Sequence, residues 1–180
     1  MERLENKLRF FLTAPHACNY LANRDASSLF ADPAFPKSKT LYSALVENGF
    51  RRSGEHLYKP WCQKCNECVP LRIAVQKLVR KRNKKRTWKK NAAVNVRKLK
   101  AEFQPAHYER YKKYIATRHA NGGMDTPTES SYQDFLWSSW SDTALFEFTL
   151  NNKLYAIAVV DYLNNAISAV YTFFDPDFAH

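Results

Sequence analysis

Two Asn-Asn pairs near the end of the chain, at 151–152 and 164–165, divide its most apolar part into three runs. Asparagine tolerates the left-handed backbone that tight hairpin turns require, so such a pair between apolar runs predicts a hairpin. The middle run is apolar on both faces and is therefore expected to lie at the centre of the sheet. The runs are residues 143–150, 153–163 and 166–174. The pattern constrains this part of the chain to an antiparallel three-stranded meander.

Helices are predicted before the meander. Pro105 opens a helix that runs to His119, because proline suits the first helical position and tyrosines follow at helical spacing. Thr128 and Ser38 are expected to cap two further helices, and Gly49 ends the second of these. Helices that cover an antiparallel sheet define an α+β fold class. Other predicted elements are helices at 23–31 and around 87–92, strands at 8–13, 69–75 and 93–99, and a hairpin around Ser53-Gly54.

The charge of the chain is concentrated in one segment. The sequence has 28 Lys and Arg against 17 Asp and Glu, a net charge of +11. Nine of the basic residues lie between positions 77 and 90, with no acid among them, and removing them leaves 19 against 17. Such a segment binds polyphosphate backbones by displacing counterions, and Trp88 inside it can stack on a base. The alternative is a solvated linker or a localisation tract. The nine are Lys77, Arg80, Lys81, Arg82, Lys84, Lys85, Arg86, Lys89 and Lys90.

Several function classes are excluded by what the sequence lacks. It has only four glycines, too few and too scattered for a phosphate-binding loop. The longest strongly apolar run, residues 156–160, is too short to span a bilayer. The first seven residues are too charged for a signal peptide. We therefore expect a cytoplasmic protein with reduced thiols. No Ser-His-Asp or HExxH arrangement is visible, so a hydrolase is not supported.

Three cysteines, Cys62, Cys65 and Cys68, follow one another at CxxCxxC spacing. A tight loop lets sulfurs at this spacing converge on one metal, and Cys18 would complete a set of four ligands. Zinc fits such a set, and an iron–sulfur cluster remains open. The alternative is a group of free thiols. His16 and His56 lie near these cysteines and are candidates to replace one thiol as a ligand.

Three acidic residues, Glu147, Asp161 and Asp175, interrupt the apolar runs of the meander. A carboxylate at the end of a strand can act as a general base toward an amine. The alternative for each is a capped or solvent-facing acid. Asp175 is the favoured candidate because it directly follows the run Tyr171-Thr172-Phe173-Phe174 and precedes a proline.

Several motifs together resemble one known family. The first is Phe-Arg-Arg-Ser-Gly-Glu-His-Leu-Tyr-Lys-Pro-Trp-Cys at 50–62, continued by Cys65, Cys68 and Pro-Leu-Arg at 70–72. The others are Ala-Pro-His-Ala-Cys-Asn-Tyr-Leu at 14–21, Gly-Gly-Met at 122–124 and Ser-Ala-Val-Tyr-Thr-Phe-Phe-Asp-Pro at 168–176. Over essentially its whole length the chain resembles the arginyl-tRNA–protein transferase family, and more closely its bacterial branch, the aspartate/glutamate leucyltransferases.

The resemblance implies an activity and a fold. The family moves leucine, or arginine in the eukaryotic branch, from a charged tRNA to the α-amino group of proteins that begin with Asp or Glu, which marks them for N-degron proteolysis. Its catalytic fold is similar to the acetyltransferase (GNAT) fold. No cofactor is required for the transfer, and a monomer is expected. The implied domains are a small Cys-containing N-terminal domain at 1–76, a basic connecting segment at 77–100 and a partial GNAT-like domain at 101–180. The family continues beyond the 168–176 motif, so the chain is expected to be a C-terminally truncated form.

The resemblance also directs the assignment of site residues. Asp175 is the candidate base and Tyr171 a hydroxyl donor or positioning group. An acidic N-terminus is best read by a guanidinium fork, so Arg72 with Arg52 is the favoured pair. Arg51 and Lys59 are the other candidates, and Arg51 and Arg52 point to opposite faces if extended. The alternative for these cations is a surface ion pair. The basic segment, residues 77–90, is assigned to tRNA.

Two rival functions remain open at this point. One is a non-catalytic RNA-binding protein with a structural metal site, which explains the basic segment and the cysteines but not the 50–72 motif. The other is a coenzyme A acetyltransferase, which needs a pyrophosphate loop that this chain lacks.

Overall fold

The N-terminal lobe, residues 7–60, is built on a short antiparallel sheet. The computed structural model describes residues 7–119 and 126–178. Four strands pair in the order β1-β4-β6-β5, and β2 pairs with β3 in a small separate ribbon. One helix, α1, covers the sheet. The elements are β1 (Phe10–Leu12), β2 (His16–Ala17), β3 (Asp25–Ala26), β4 (Ser28–Ala31), α1 (Lys39–Glu47), β5 (Arg51–Ser53) and β6 (His56–Pro60).

The sequence explains where α1 begins and ends. The Ser38 hydroxyl accepts a hydrogen bond from the Leu41 backbone N–H at 3.1 Å, which confirms the predicted cap. Tyr42 and Leu45, one turn apart, are buried on the face toward the sheet. The helix stops before Gly49, whose φ of 83° is a left-handed conformation that glycine adopts without strain.

The C-terminal lobe, residues 95–178, contains the predicted meander. Its sheet order is β10-β9-β8-β7, so the middle run is central as predicted. The first predicted turn is confirmed by Asn151 and Asn152, which have φ values of 48° and 59°. The elements are β7 (Asn95–Lys100), α3 (Pro105–Arg118), α4 (Glu129–Leu136), β8 (Thr143–Leu150), β9 (Lys153–Tyr162) and β10 (Ile167–Phe174).

The core of the C-terminal lobe lies between its sheet and its two helices. The helices contribute tyrosines and aliphatic side chains to this core, and the sheet contributes aliphatic residues and one phenylalanine. Tyr132 stands at the centre, with ring centroids 4.9 Å from Tyr111 and 5.5 Å from Tyr108. Buried members are Tyr108, Tyr111, Ile115, Tyr132, Leu136, Leu145, Ile157, Val159 and Phe173. This packing gives the α+β class with antiparallel sheets.

Two predicted elements are wrong. Residues 23–31 form β3 and β4 instead of a helix, because Leu29 and Phe30 pair with neighbouring strands on both sides. Residues 69–75 form no strand. They run over the surface to a single 3₁₀ turn at Val75–Lys77, and Leu71 and Ile73 are 88% and 72% exposed. Apolar content alone suggested the strand, but these residues have no strand partner in the described part of the chain.

The region between the lobes divides into two parts. The basic segment forms helix α2 (Arg82–Lys90), which no side chain of either lobe covers. The end of the predicted 77–100 connector is β7, which pairs with β8 from Asn95↔Thr149 to Lys100↔Ala144. The sheet of the C-terminal lobe therefore begins before residue 101. Across the described ranges, no helix is long and apolar enough to cross a membrane.

A buried ion pair joins the two lobes. Arg52 of β5 donates to both carboxylate oxygens of Asp161 on β9, at 2.6 and 3.0 Å, and both side chains are 0% exposed. The hydroxyls of Tyr42 and Thr143 donate to the same carboxylate at 2.8 and 2.6 Å. The Arg52 Nη2 also donates to the Leu136 carbonyl at 2.8 Å. Every lone pair of the carboxylate therefore faces a donor from one lobe or the other.

The hairpin turn between β5 and β6 completes the junction. The Gly54 N–H donates to the Phe135 carbonyl at 2.9 Å, and a Cβ on Gly54 would lie 1.9 Å from the Asp134 oxygen. Only glycine permits this approach, and its φ of 54° also favours glycine. The turn and the ion pair together fix β5 against the C-terminal lobe.

We predict that Asp161→Asn destabilises the chain by about 3–5 kcal/mol, because it leaves the buried Arg52 charge without a counter-charge. The matched control is Asp142→Asn, which breaks an exposed pair with Lys39 and is expected to cost less than about 1 kcal/mol. Urea unfolding measures both free energies. Equal losses in the two variants would contradict the role of the ion pair.

Candidate active-site cleft

A large cleft lies between the lobes, with a volume of about 2000 Å³. One wall is formed by the end of α1 and by β5, and the other by α3, α4 and β10. The surface segment 69–78 borders it along one side. Because β5 packs against β10, the two walls meet at the lobe junction.

The N-terminal wall carries two guanidinium groups. Arg51 is half-buried, and it forms no ion pair or side-chain hydrogen bond with any residue that the structure describes. Arg72 lies on the exposed segment, where its Nη2 donates to the Glu47 carbonyl at the end of α1. That contact holds Arg72 at the cleft border while part of its fork faces solvent. The N-terminal wall is therefore lined by two guanidinium groups, and that of Arg51 has no partner among the described residues.

The other two predicted carboxylate-reading cations are placed differently. Arg52 belongs to the cleft lining, but its side chain is 0% exposed and its guanidinium is occupied by Asp161, so it is not positioned to bind a substrate carboxylate. Lys59 sits over the rings of Phe50 and Trp61 at 5.0 and 4.8 Å, outside the cleft lining. The alternation of β5 was predicted, but it turns Arg51 toward the cleft and Arg52 toward the junction.

The C-terminal wall is aromatic. Tyr171 on β10 packs edge-on against Phe135 of α4 at 5.0 Å, and its hydroxyl lies 3.4 Å from the Nε2 of His119. Burial raises the pKa of Tyr171 to about 12. Its hydroxyl therefore stays protonated at neutral pH and can donate a hydrogen bond into the cleft. The position of Tyr171 agrees with its predicted role, which stays a prediction.

Two residues of this wall were not singled out from the sequence. His119 was predicted only as the end of the helix that Pro105 opens, and Phe135 lies in the helix for which only the Thr128 cap was named. Both line the cleft. The Thr128 cap predicted that α4 exists, but nothing in the sequence showed that Phe135 of this helix would border an opening.

Asp175, the predicted base, lies outside the cleft lining at the end of β10. Its carboxylate forms ion pairs with Arg110 and with Lys113, the second at 2.7 Å. Burial alone would raise the pKa of Asp175, but the Lys113 hydrogen bond and the neighbouring cations lower it below its ordinary value. A carboxylate held by two cations is a weak base, so the geometry favours a role in joining α3 to β10. Proton transfer by Asp175 stays a prediction.

The other strand acids are also paired. Glu147 on β8 lies 2.9 Å from the buried His107 of α3 and accepts from Arg97 of β7 at 2.9 Å. A histidine on a helix is often a surface residue, but His107 is 0% exposed. Each acid that interrupts the meander therefore has its own cation or histidine partner.

The cysteines remain free thiols of intermediate exposure. The Cys62 thiol lies 3.8 Å from the Ser27 carbonyl, and the Cys18 sulfur accepts from the Tyr20 N–H at 3.5 Å. Within residues 7–119 and 126–178, no three His, Cys, Asp or Glu side chains converge on a point that would hold a metal ion. The present arrangement does not fit a zinc or iron–sulfur site at Cys18, Cys62, Cys65 and Cys68, and metal binding stays a prediction.

The basic segment leads away from the cleft. Gln76 and Leu78 border the opening, and the charged residues begin beside them. No side chain of the segment forms a salt bridge within the described ranges, and Trp88 is 69% exposed with the Arg80 guanidinium 5.0 Å from its ring. An unneutralised strip that starts at a cleft provides a continuous path for a polyanion.

Comparison with known proteins gives two family matches. Residues 16–86 match the family model described as the N terminus of arginine-tRNA-protein transferase, and residues 106–180 match the C terminus. The aspartate/glutamate leucyltransferase of Pseudomonas putida is 43% identical over 171 residues, 95% of this chain and 73% of that protein. Those of Pseudomonas fluorescens and Hahella chejuensis are each 44% identical over 170 residues, 94% of this chain and 72% and 73% of those proteins.

The pairing of Asp175 predicts a pH-dependent stability. A carboxyl whose pKa is lowered by folding stabilises the protein above its unfolded pKa of about 3.9, and the contribution is lost as pH falls through the folded pKa. Asp175→Asn is therefore expected to reduce stability at pH 7 and to approach the unmodified chain in stability as pH falls below about 4. Urea unfolding at a series of pH values measures this. Asp25→Asn, at an exposed position, is the control. The pairing would be contradicted if the free energy of unfolding of Asp175→Asn stayed below that of the unmodified chain by the same amount down to pH 3.

Proposed function

Since the chain belongs to the arginine-tRNA-protein transferase family, as an aminoacyltransferase related to the aspartate/glutamate leucyltransferases, we propose that its cleft transfers leucine from a charged tRNA to proteins that begin with Asp or Glu. The transfer takes place in the cytoplasm and marks the acceptor for N-degron proteolysis. The observation that carries the proposal for the site is the unpaired Arg51 guanidinium facing a hydroxyl-bearing wall across one cleft.

The chemistry is aminolysis of an activated ester. The neutral α-amine of the acceptor forms an amide bond with the aminoacyl carbonyl carbon, and the bond from that carbon to the ribose oxygen breaks. The amine gives up a proton, and the ribose oxygen leaves as a hydroxyl. No covalent enzyme nucleophile is needed; the site must orient the reactants, stabilise the oxyanion and carry the proton.

Tyr171 and His119 are placed to serve these steps. The protonated Tyr171 hydroxyl donates to the developing oxyanion, where a fixed donor stabilises charge that appears only in the transition state. His119, 3.4 Å from that hydroxyl, accepts the amine proton and returns it to the ribose oxygen. Histidine suits this role because an imidazole nitrogen can accept a proton and return it.

Arg51 and Arg72 select the acidic acceptor. A carboxylate side chain in the cleft pairs with the free fork of Arg51, and the part of the Arg72 fork not held by Glu47 faces the same space. A neutral first residue would leave the Arg51 charge without this partner, which lowers its binding relative to Asp or Glu.

The basic segment binds the acceptor arm of the tRNA. A charged 3′ end must reach the cleft while the stem lies outside it, and the segment starts at the cleft border and extends away from it. Trp88, largely exposed, is available to stack on a base. In this arrangement the basic segment provides affinity for tRNA, and the cleft provides selectivity for the acceptor.

The fold is compatible with a GNAT-like catalytic lobe. An antiparallel sheet is covered by two helices, and the cleft opens along its edge strand β10. The N-terminal lobe with its cysteines acts as the second wall. A non-catalytic RNA-binding protein would also carry the strip, but it would not need an unpaired arginine opposite a tyrosine hydroxyl. The transfer assay separates the two.

Arg51→Met is expected to reduce the preference for an Asp-initiated over an Ala-initiated peptide by about tenfold or more, since a charge-assisted hydrogen bond contributes about 1.5–3 kcal/mol. Mass spectrometry of both peptides after incubation with a charged-tRNA pool measures the ratio. Arg72→Ala is expected to reduce it in the same direction. Lys59→Met, a cation of the same lobe outside the cleft lining, is the control. A preserved preference in Arg51→Met would contradict the assignment.

Replacing Lys84, Lys85 and Arg86 by Gln is expected to weaken tRNA binding and to flatten its dependence on salt concentration, because fewer counterions are released. Each lost phosphate contact should reduce the slope of log K against log salt by about 0.7–0.9. Replacing three scattered exposed cations, Arg24, Lys64 and Lys153, removes the same charge and serves as the control. The basic-segment assignment fails if both triple variants lose the same affinity and slope.

A further inference from the structure

Three aromatic side chains of the C-terminal lobe form one continuous patch on the cleft wall. Phe135 packs against Tyr171 with ring centroids 5.0 Å apart, and Tyr171 packs against Tyr111 at 6.2 Å. All three line the cleft, together with Val170 of β10. The half-buried Phe135, Tyr171 and Val170 therefore present two rings and one aliphatic side chain to the opening, and the buried Tyr111 supports them from behind.

The patch is held rigidly from behind. Tyr111 is 1% exposed and packs against Tyr132 at 4.9 Å and Phe173 at 5.3 Å. Phe135 is fixed through its own backbone, because its carbonyl accepts from the Gly54 N–H of the other lobe. A pocket wall that cannot repack discriminates ligands by shape and polarity.

The charges around the patch are unsuited to a cationic ligand. Among the cleft-lining residues that the structure describes, Glu47 is the only acid, and it lies on α1 in the opposite wall. The backbone carbonyl of Glu47 accepts from the Arg72 guanidinium of the same wall. An arginyl side chain placed on the aromatic patch would lose water without gaining a counter-charge, whereas a leucyl side chain would gain apolar contact.

We propose that the surface formed by Phe135, Val170 and Tyr171, supported from behind by Tyr111, receives the side chain of the transferred amino acid and selects leucine over arginine. The inference rests on the proposed function and deepens it, because it separates donor selection from acceptor selection within one cleft. The N-terminal wall reads the acceptor carboxylate through Arg51. The C-terminal wall reads the donor, and the reacting carbonyl lies between them beside the Tyr171 hydroxyl.

Phe135 is the residue that tests this, since its side chain is half-buried and no side-chain hydrogen bond depends on it. Equal amounts of leucyl-tRNA and arginyl-tRNA are supplied with an Asp-initiated peptide, and mass spectrometry gives the ratio of the two products. The unmodified chain is expected to give mainly the leucyl product. Phe135→Ala should lower the leucyl-to-arginyl ratio about tenfold, and Phe135→Glu should lower it further by supplying a counter-charge.

Two controls make the outcome specific. Phe135→Leu keeps an apolar wall and is expected to keep the leucyl preference. Phe103→Ala removes a half-buried ring from the same core, outside the cleft lining, and should leave the ratio unchanged even if total turnover falls. Because the readout is a product ratio, partial loss of folded protein does not alter it.

The result that overturns the donor pocket is an unchanged ratio in Phe135→Ala and Phe135→Glu while transfer continues. Equal transfer of both amino acids by the unmodified chain would also overturn it and would leave the proposed function intact. Absence of any transfer by the unmodified chain would instead count against the proposed function itself.

Discussion

The arrangement of this protein depends on one buried interaction, the ion pair between Arg52 and Asp161. Removing two charges from water costs several kcal/mol per ion, and only excellent geometry recovers it. Here the guanidinium binds both carboxylate oxygens, and hydroxyls from Tyr42 and Thr143 complete the set. An apolar contact of the same size could provide similar stability, but it would not fix direction. The planar fork accepts one orientation of β5 relative to β9, and thereby sets how the lobes meet.

The cleft follows from that orientation. Because side chains alternate along a strand, directing Arg52 into the junction directs Arg51 to the opposite face. The contact between Gly54 and Phe135 places α4 beside the same hairpin. Arg51, Tyr171 and His119 thus line one opening. The contacts that join the lobes there are made by other residues. The arrangement of the proposed site is therefore a consequence of the junction.

The sequence predicted the parts of the fold that local rules control. The meander, its turns at Asn151-Asn152, and the capped helices after Ser38 and Thr128 all follow from spacing and turn chemistry. The helix predicted at 23–31 was wrong because the strands of this segment form by pairing with residues outside it, which local rules do not show. The roles of the strand acids also depend on residues that are distant in the chain. In the sequence, Asp161 and Asp175 both follow apolar residues. Only their tertiary partners show that Asp161 joins the two lobes through Arg52, whereas Asp175 joins α3 to the end of β10 through Lys113.

Site residues were predictable only by class. The resemblance led to the proposal that an arginine reads the carboxylate, and strand alternation predicted that Arg51 and Arg52 point to opposite faces. Which of the two lies toward the cleft depends on the partner lobe, because Asp161 occupies Arg52. A direct measurement is photo-cross-linking with an Asp-initiated peptide that carries a diazirine at its second residue. The account predicts labels on β5 and on β10 around Ile167–Tyr171, suppressed by excess Asp-initiated peptide and not by Ala-initiated peptide. Labels confined to the basic segment or to β1, or equal suppression by both peptides, would contradict it.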